Sequence, residues 1–264
     1  MLSQLDAVRA IAVEAGRVVM EHYAKPSPVD YKANNSPLTQ ADRASHAYIM
    51  GELARLTPDV PVLSEESDPS DYDARAGWAR FWCVDPLDGT KEFVKRTGEF
   101  TVNIALIEDG APVLGIVHVP AQGHTYAAAR GHGAWRYDGE SEGRAIHARP
   151  ADPKRLTVFA SRDHAGSEVA VLLARMTDEG VEVEVASMGS ALKFCLVAEG
   201  TADFYPRIVP TMEWDTAAAQ AVVEAAGGTV CTADGAPLTY NKADLRNPPI
   251  FTAGDPALDW RRWL

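Results

Sequence analysis

The chain has 264 residues and carries 25 lysines and arginines against 37 aspartates and glutamates, a formal charge of −12. That surplus excludes broad electrostatic binding to nucleic acid or to an anionic membrane surface; a small anionic substrate is possible only where positive charge is supplied locally. Hydrophobic content of 46% is ordinary for a folded chain, and no run approaches the ~20 apolar residues of a membrane span.

Residues 1–23 place Leu5, Val8, Ile11, Ala15 and Val19 on one helical face. Asp6, Arg9, Glu14 and Glu21 interrupt the same stretch, so it holds no signal-peptide core, and a cytoplasmic chain is expected. Pro26, Pro28 and the Asn34-Asn35-Ser36-Pro37 run predict a loop, followed by a helix over 39–56 with Thr39 as its cap. A short strand at 60–63 runs into Ser64-Glu65-Glu66-Ser67, and the polar stretch 68–75 reads as a loop. A buried strand at 81–84 is expected to end in Asp85-Pro86-Leu87-Asp88-Gly89-Thr90. Strands at 100–108, 113–119 and 125–130 then predict an antiparallel meander. The glycine-containing segment 137–153, bracketed by proline, predicts a boundary between a subdomain at 1–145 and another at 146–264. The second half alternates strands (157–161, 181–185, 202–205, 228–231, 249–253) with helices (167–177, 190–199, 215–226). That alternation predicts α/β layering. Cys83, Cys195 and Cys231 are far apart, in or beside apolar stretches, and read as unpaired buried thiols.

The hexapeptide Asp85–Thr90 sets two carboxylates at the end of an apolar strand, where buried negative charge needs compensation. Pro86 fixes the turn, Gly89 permits close backbone approach, and the arrangement suits a hard cation with backbone N–H groups nearby for an anion. A capped turn with two solvated aspartates is the plainer alternative. Aspartyl-phosphate chemistry of the haloacid-dehalogenase kind needs one residue between its paired aspartates, whereas two separate Asp85 from Asp88. Taken singly, Glu65-Glu66 reads as an acidic loop, Asp215 as a helix N-cap, and Asp42 as a first-turn carboxylate.

Together these segments form a recognisable series. Residues 82–93, with Asp85-Pro86-Leu87-Asp88-Gly89-Thr90 at their centre, resemble the first signature of the inositol monophosphatase-like, lithium-sensitive phosphatases. Trp214-Asp215-Thr216-Ala217-Ala218 resembles the second, and Glu65-Glu66 and Asp42 fall where that family places its other acidic residues. The resemblance runs from about residue 5 to residue 254. It implies a layered α/β/α/β/α sandwich and two or three Mg²⁺ ions held by Glu65, Asp85, Asp88, Asp215 and the carbonyl of Leu87. All are the oxygen donors that Mg²⁺ takes. Phosphate would lie on Asp88, Gly89 and Thr90, while Thr90 with Asp42, assisted by Glu65 or Glu66, would activate the attacking water.

The segments 91–103 and 190–200, with Ser161-Arg162-Asp163-His164, are similar to the 3′(2′),5′-bisphosphate nucleotidase branch, which serves sulfur assimilation. Asp163 departs from that branch's usual serine. Adenosine 3′,5′-bisphosphate is therefore the expected substrate, contacted by Ser161, His164, Gly189, Ser190 and Lys193. Lys193 and Arg207 have the charge and reach for a second phosphate. Inositol-preferring members carry a glutamate seven residues before the Trp-Asp aspartate; here that position is Ile208, which cannot accept sugar hydroxyls. Inositol phosphate or fructose 1,6-bisphosphate is the alternative substrate, and a catalytically silent metal- or nucleotide-binding protein the alternative of another class. The family includes monomers and homodimers.

Overall fold

The computed structural model describes residues 2–25, 29–31, 37–67, 72–160 and 167–264. In chain order the first half contains α1 (Leu2–Tyr23), β1 (Val29–Tyr31), β2 (Pro37–Thr39), α2 (Gln40–Leu56), β3 (Val62–Ser64), α3 (Tyr72–Arg75), β4 (Arg80–Asp88) and α4 (Thr90–Lys95). The meander follows as β5 (Thr101–Glu108), β6 (Ala111–Val119), β7 (His124–Ala129), β8 (Ala134–Asp138) and β9 (Arg144–Ile146). The second half contains β10 (Arg155–Ala160), α5 (Ser167–Asp178), β11 (Glu182–Ser187), α6 (Leu192–Ala198), β12 (Phe204–Arg207), α7 (Glu213–Ala225), β13 (Thr229–Thr232) and β14 (Ile250–Ala253).

Two large sheets organise these elements. One has seven strands in the order β3-β4-β5-β6-β7-β8-β9, the other five in the order β11-β10-β12-β14-β13. Side chains alternate across each strand, so each sheet feeds two cores. In β4, Trp82 and Val84 pack with Leu5, Val8, Ile49 and Leu53 of α1 and α2. Their neighbours Phe81 and Cys83 face the Ala217, Ala218 and Val222 side of α7. In the second sheet Phe159 and Tyr205 join that middle core, while Val158 and Phe204 pack outward against Leu172, Met176 and Trp260. The layers are therefore α/β/α/β/α, with α6 and α7 between the sheets. The alanine-rich face of α7 lies so close to β6 that a Cβ on Gly115 would stand 2.2 Å from the Ala218 carbonyl oxygen.

Several expectations need correction. The strand expected to stop at 84 continues to Asp88, through the whole acidic motif. Residues 29–31 of the expected loop 26–37 form β1, which pairs antiparallel with β2 at 37–39. Residues 72–75 of the expected loop form one helical turn whose Arg75 is buried; 68–71 lie outside the described residues. The segment 137–153 opens inside β8 and includes β9, two antiparallel strands at the edge of the large sheet. Edge strands carry polar residues that protect their open side, which is why composition reads them as linker. Cys83 and Cys195 are buried and Cys231 half-buried, all unpaired.

Candidate active site

The acidic motif owes its geometry to a β-bulge. Asp85 pairs with Asn103 and Asp88 with Thr101, three steps on β4 against two on β5. In a regular strand residues three apart face opposite ways; the extra residue turns both aspartates toward one site. Pro86 stands in the bulge, where its missing N–H breaks no ladder, and its carbonyl accepts the Ser45 hydroxyl at 2.8 Å. The Leu87 N–H donates to Asp85 Oδ1 at 3.0 Å. Gly89, at φ +88°, then turns the chain into α4. Phe93 anchors that helix between Tyr23 and Phe100, with ring centroids 5.1 and 5.3 Å away.

Three elements converge on this corner. Glu65 leaves β3 with its N–H bonded to the Val84 carbonyl at 3.1 Å. Asp215 is the third residue of α7 rather than its cap, and its Oδ2 accepts the Met212 N–H at 2.7 Å. Carboxylate oxygens of Glu65, Asp85 and Asp215 all lie within 4.8 Å of one another. Asp88 adjoins them, its Oδ2 accepting the Ala191 N–H at 2.5 Å and hydrogen bonds of 3.4 Å from Thr101 and 3.5 Å from Asn103. Burial, and then the charges of Glu65, Asp88 and Asp215, push the Asp85 carboxyl well above its ordinary range. Burial followed by Asp88 and Glu65 does the same to Asp215. Buried like charges with hard oxygen donors turned together fit a divalent cation of the Mg²⁺ class, which relieves the repulsion that raises them.

Beside the cluster, the Thr90 hydroxyl donates to Asp42 Oδ1 at 3.2 Å, with the Leu87 carbonyl as an alternative acceptor at 3.3 Å. Asp42 is fixed by its position in the first turn of α2, where Oδ2 accepts both the Thr39 N–H at 2.7 Å and the Thr39 hydroxyl at 2.6 Å. Burial raises its carboxyl, against the Thr39 hydrogen bonds and with a smaller push from Glu66. Glu66 therefore stands on the Asp42 and His46 side, whereas Glu65 belongs to the carboxylate cluster.

A cleft of about 120 Å³ opens from Asp88 and Asp215 toward Gly189, Ser190, Lys193 and Arg207. Lys193 is 4% exposed, not on a solvated helix face, and it donates to the carbonyls of Met188 and Ser190, each at 3.0 Å. Burial pushes its ammonium down to about 8, against the pull of Asp88. The Gly189 N–H donates to Glu99 Oε2 at 2.9 Å, and Ser190 holds the left-handed region at φ +52°. That conformation costs energy in a non-glycine residue and persists because Lys193, Glu99 and Asp88 hold the turn from three directions. Arg207 Nε is buried and has no hydrogen-bond partner among the described residues. Ile208 packs toward the outer apolar core of the second sheet. Ser161 and His164 lie outside the described residues. Sequence reasoning passed over Tyr205 and Thr211 in the cleft wall and Glu99 behind it. The strand alternation that buries Tyr205 beside Phe204 was the available signal for one of them.

The raised carboxylates carry a pH prediction. Asp85, Asp88 and Asp215 have folded pKa values above the ordinary value near 4. Their contribution to stability is full below that value and is lost as pH rises through the folded ones. A bound cation offsets the loss, so the gain in melting temperature on exchanging chelator for Mg²⁺ should grow from about pH 5.5 to about pH 8. His118, buried away from the cluster and held down at about 4, affects both arms equally and cancels in that difference. A gain that stays constant or shrinks over the range would contradict the account.

A family model described as the inositol monophosphatase family matches residues 1–254. The 3′(2′),5′-bisphosphate nucleotidase CysQ of Escherichia coli is 50% identical over 249 residues, covering 94% of this chain and 98% of the relative. The crystal structure of CysQ from Bacteroides thetaiotaomicron superposes with a TM-score of 0.85 at 43% identity, covering 95% of this chain and 97% of that one. An inositol monophosphatase from Thermotoga maritima shares the fold, with a TM-score of 0.81 at 24% identity over 99% of this chain and 96% of its own.

Proposed function

The chain belongs to the inositol monophosphatase family, and from that premise we propose that it is a phosphomonoesterase of the 3′(2′),5′-bisphosphate nucleotidase type. It hydrolyses adenosine 3′,5′-bisphosphate to AMP and phosphate. The family is generally Mg²⁺-dependent, and two or three ions would be held by Glu65, Asp85, Asp88, Asp215 and the Leu87 carbonyl. Bound Mg²⁺ supplies positive charge to the phosphoryl oxygens and lowers the pKa of water. The chain's own groups do the rest. The N–H groups of Gly89 and Thr90, at the open first turn of α4, hold a phosphate oxygen. Thr90 Oγ accepts a proton from the water attacking phosphorus as its own proton passes to Asp42. The raised Asp42 carboxyl suits that acceptor role. The phosphorus–oxygen bond to the 3′-oxygen breaks, that oxygen takes a proton from solvent water to become the 3′-hydroxyl, Asp42 returns its proton to solvent, and the nucleotide leaves from the cleft beyond.

The observation that carries the substrate assignment is that Lys193 and Arg207 both line the cleft that opens from Asp88 and Asp215. Two cations set beside an acidic cluster favour an ester with a second phosphate over a neutral polyol. The subdomains, 1–145 and 146–264, would meet at this cleft, in a cytoplasmic protein. Phosphate release is to be compared at equal concentrations of adenosine 3′,5′-bisphosphate, inositol 1-phosphate and fructose 1,6-bisphosphate with Mg²⁺. The nucleotide should be preferred by about tenfold or more in kcat/KM, which corresponds to about 1.4 kcal/mol in the transition state. Preference for inositol 1-phosphate would overturn the assignment.

A further inference from the structure

Behind the carboxylate cluster lies a buried polar network that the chemistry above does not use. Strands β3 and β4 are parallel neighbours, so the chain must cross over between them. The crossover, residues 65–79, begins with Glu65, and its described residues include one helical turn, α3. Arg75, 2% exposed, ends that turn. Its guanidinium donates to Asn241 Oδ1 at 2.9 Å and to the carbonyls of Lys242 at 2.7 Å and Ala243 at 3.0 Å. Asn241 answers with its amide on the Arg75 carbonyl at 2.7 Å. Among the described residues Arg75 has no ion pair with a carboxylate. Its charge is spent on backbone carbonyls, so it binds one loop to another.

The second loop leads back to the cluster. Glu213, fully buried and first in α7, accepts the N–H groups of Asn241 at 2.7 Å and Lys242 at 2.9 Å, and the Lys242 ammonium at 2.7 Å. The Asn247 amide donates to the Met212 carbonyl at 2.8 Å, and Met212 is the residue whose N–H Asp215 holds. The helical turn ending in Arg75 and the helix start carrying Asp215 are thus tied to each other through residues 241–243.

We propose that Arg75 and Asn241 are positioning residues that fix the start of α7, and with it Asp215, at the place a divalent cation requires among the other carboxylates. The proposal rests on the metal-dependent reading above. Groups that orient metal ligands change affinity about 10–100-fold when removed.

Asn241 has φ +68°, so Asn241→Gly removes the side-chain link while leaving the backbone at ease. Arg75→Lys removes the forked donor and keeps the charge. Mg²⁺ binding without substrate is measured by isothermal titration calorimetry on the parent and both variants, with melting temperatures in chelator. The expected result is Mg²⁺ affinity weakened about tenfold or more in both variants, with kcat at saturating Mg²⁺ changed by less than about threefold. A purely structural link would lower the chelated melting temperature and leave Mg²⁺ affinity within about twofold of the parent, which would overturn the proposal. Should Arg75→Lys fail to fold, Asn241→Gly decides by the same criterion. A parent that binds no Mg²⁺ and releases no phosphate would overturn the functional reading and this proposal together; a parent that does both, with unaltered variants, overturns the proposal alone.

Discussion

Asp85→Asn should abolish turnover and at the same time stabilise the metal-free protein. Asp85 is 1% exposed, and its neighbours Glu65, Asp88 and Asp215 all push its carboxyl upward after burial itself. The asparagine keeps the shape and can still accept the Leu87 N–H, which the aspartate holds at 3.0 Å. What it loses is the charge. In the metal-free protein that loss removes a repulsive partner from the cluster, and relief of about 1 kcal/mol or more corresponds to a rise of about 3 °C in melting temperature for a chain of this size. With Mg²⁺ the sign reverses, because the variant has lost a ligand and gains little from the ion. Loss of several kcal/mol of transition-state stabilisation corresponds to a fall of about 10³-fold or more in phosphate release. Thermal unfolding in chelator and in Mg²⁺, set beside the rate, checks both halves. A variant that is less stable than the parent in chelator would show that the carboxylates are compensated in some other way. The pairing of instability with function is what a site built from buried like charges entails.

The acidic residues were legible because the chemistry that needs them is local. Asp85, Asp88 and Gly89 sit within five positions, and Glu65 and Asp215 each follow or open an element visible from its apolar pattern. The bulge was not legible. Nothing in Asp85-Pro86-Leu87-Asp88 says whether β4 stops or continues with an extra residue, because the answer lies in its pairing with Asn103 and Thr101 of β5. Lys193 shows a second limit. Its charge and its place on α6 suggested a donor for phosphate, and it does line the cleft, yet two of its hydrogen bonds go to the carbonyls of Met188 and Ser190. Charge identifies a donor but not its acceptor. Arg75 and Asn241 are 166 positions apart, and no spacing rule joins an arginine in a polar stretch to an asparagine in a distant loop. The layering was legible more coarsely: the strand–helix alternation of the second half pointed to α/β layers and the family resemblance to their five-layer order, while the division of Trp82 from Phe81, and of Phe204 from Tyr205, between two cores is what the structure adds.

Thr90→Val should cost about 10²–10⁴-fold in kcat with little change in KM, and Thr90→Ser should restore most of it. Valine matches threonine in shape, so the start of α4 and the packing of Phe93 are kept, and only the hydroxyl is removed. That hydroxyl is the link between the site of attack and Asp42, which it reaches at 3.2 Å. Asp42 is otherwise engaged at its other oxygen by the Thr39 backbone and side chain, so it cannot swing inward to take the proton itself without breaking the cap of α2. The relay is therefore specific to a hydroxyl at position 90, and serine supplies one. Ground-state phosphate contacts to backbone N–H groups survive in both variants, which is why KM should hold. Steady-state rates with saturating Mg²⁺ decide the matter. If Thr90→Val lost activity through KM instead, or if serine failed to rescue, Thr90 would be acting by packing or by its backbone alone. If Asp42→Asn then proved nearly as active as the parent, the proton would have to leave by another route, with Glu66, on the same side of the site, the next carboxylate to test.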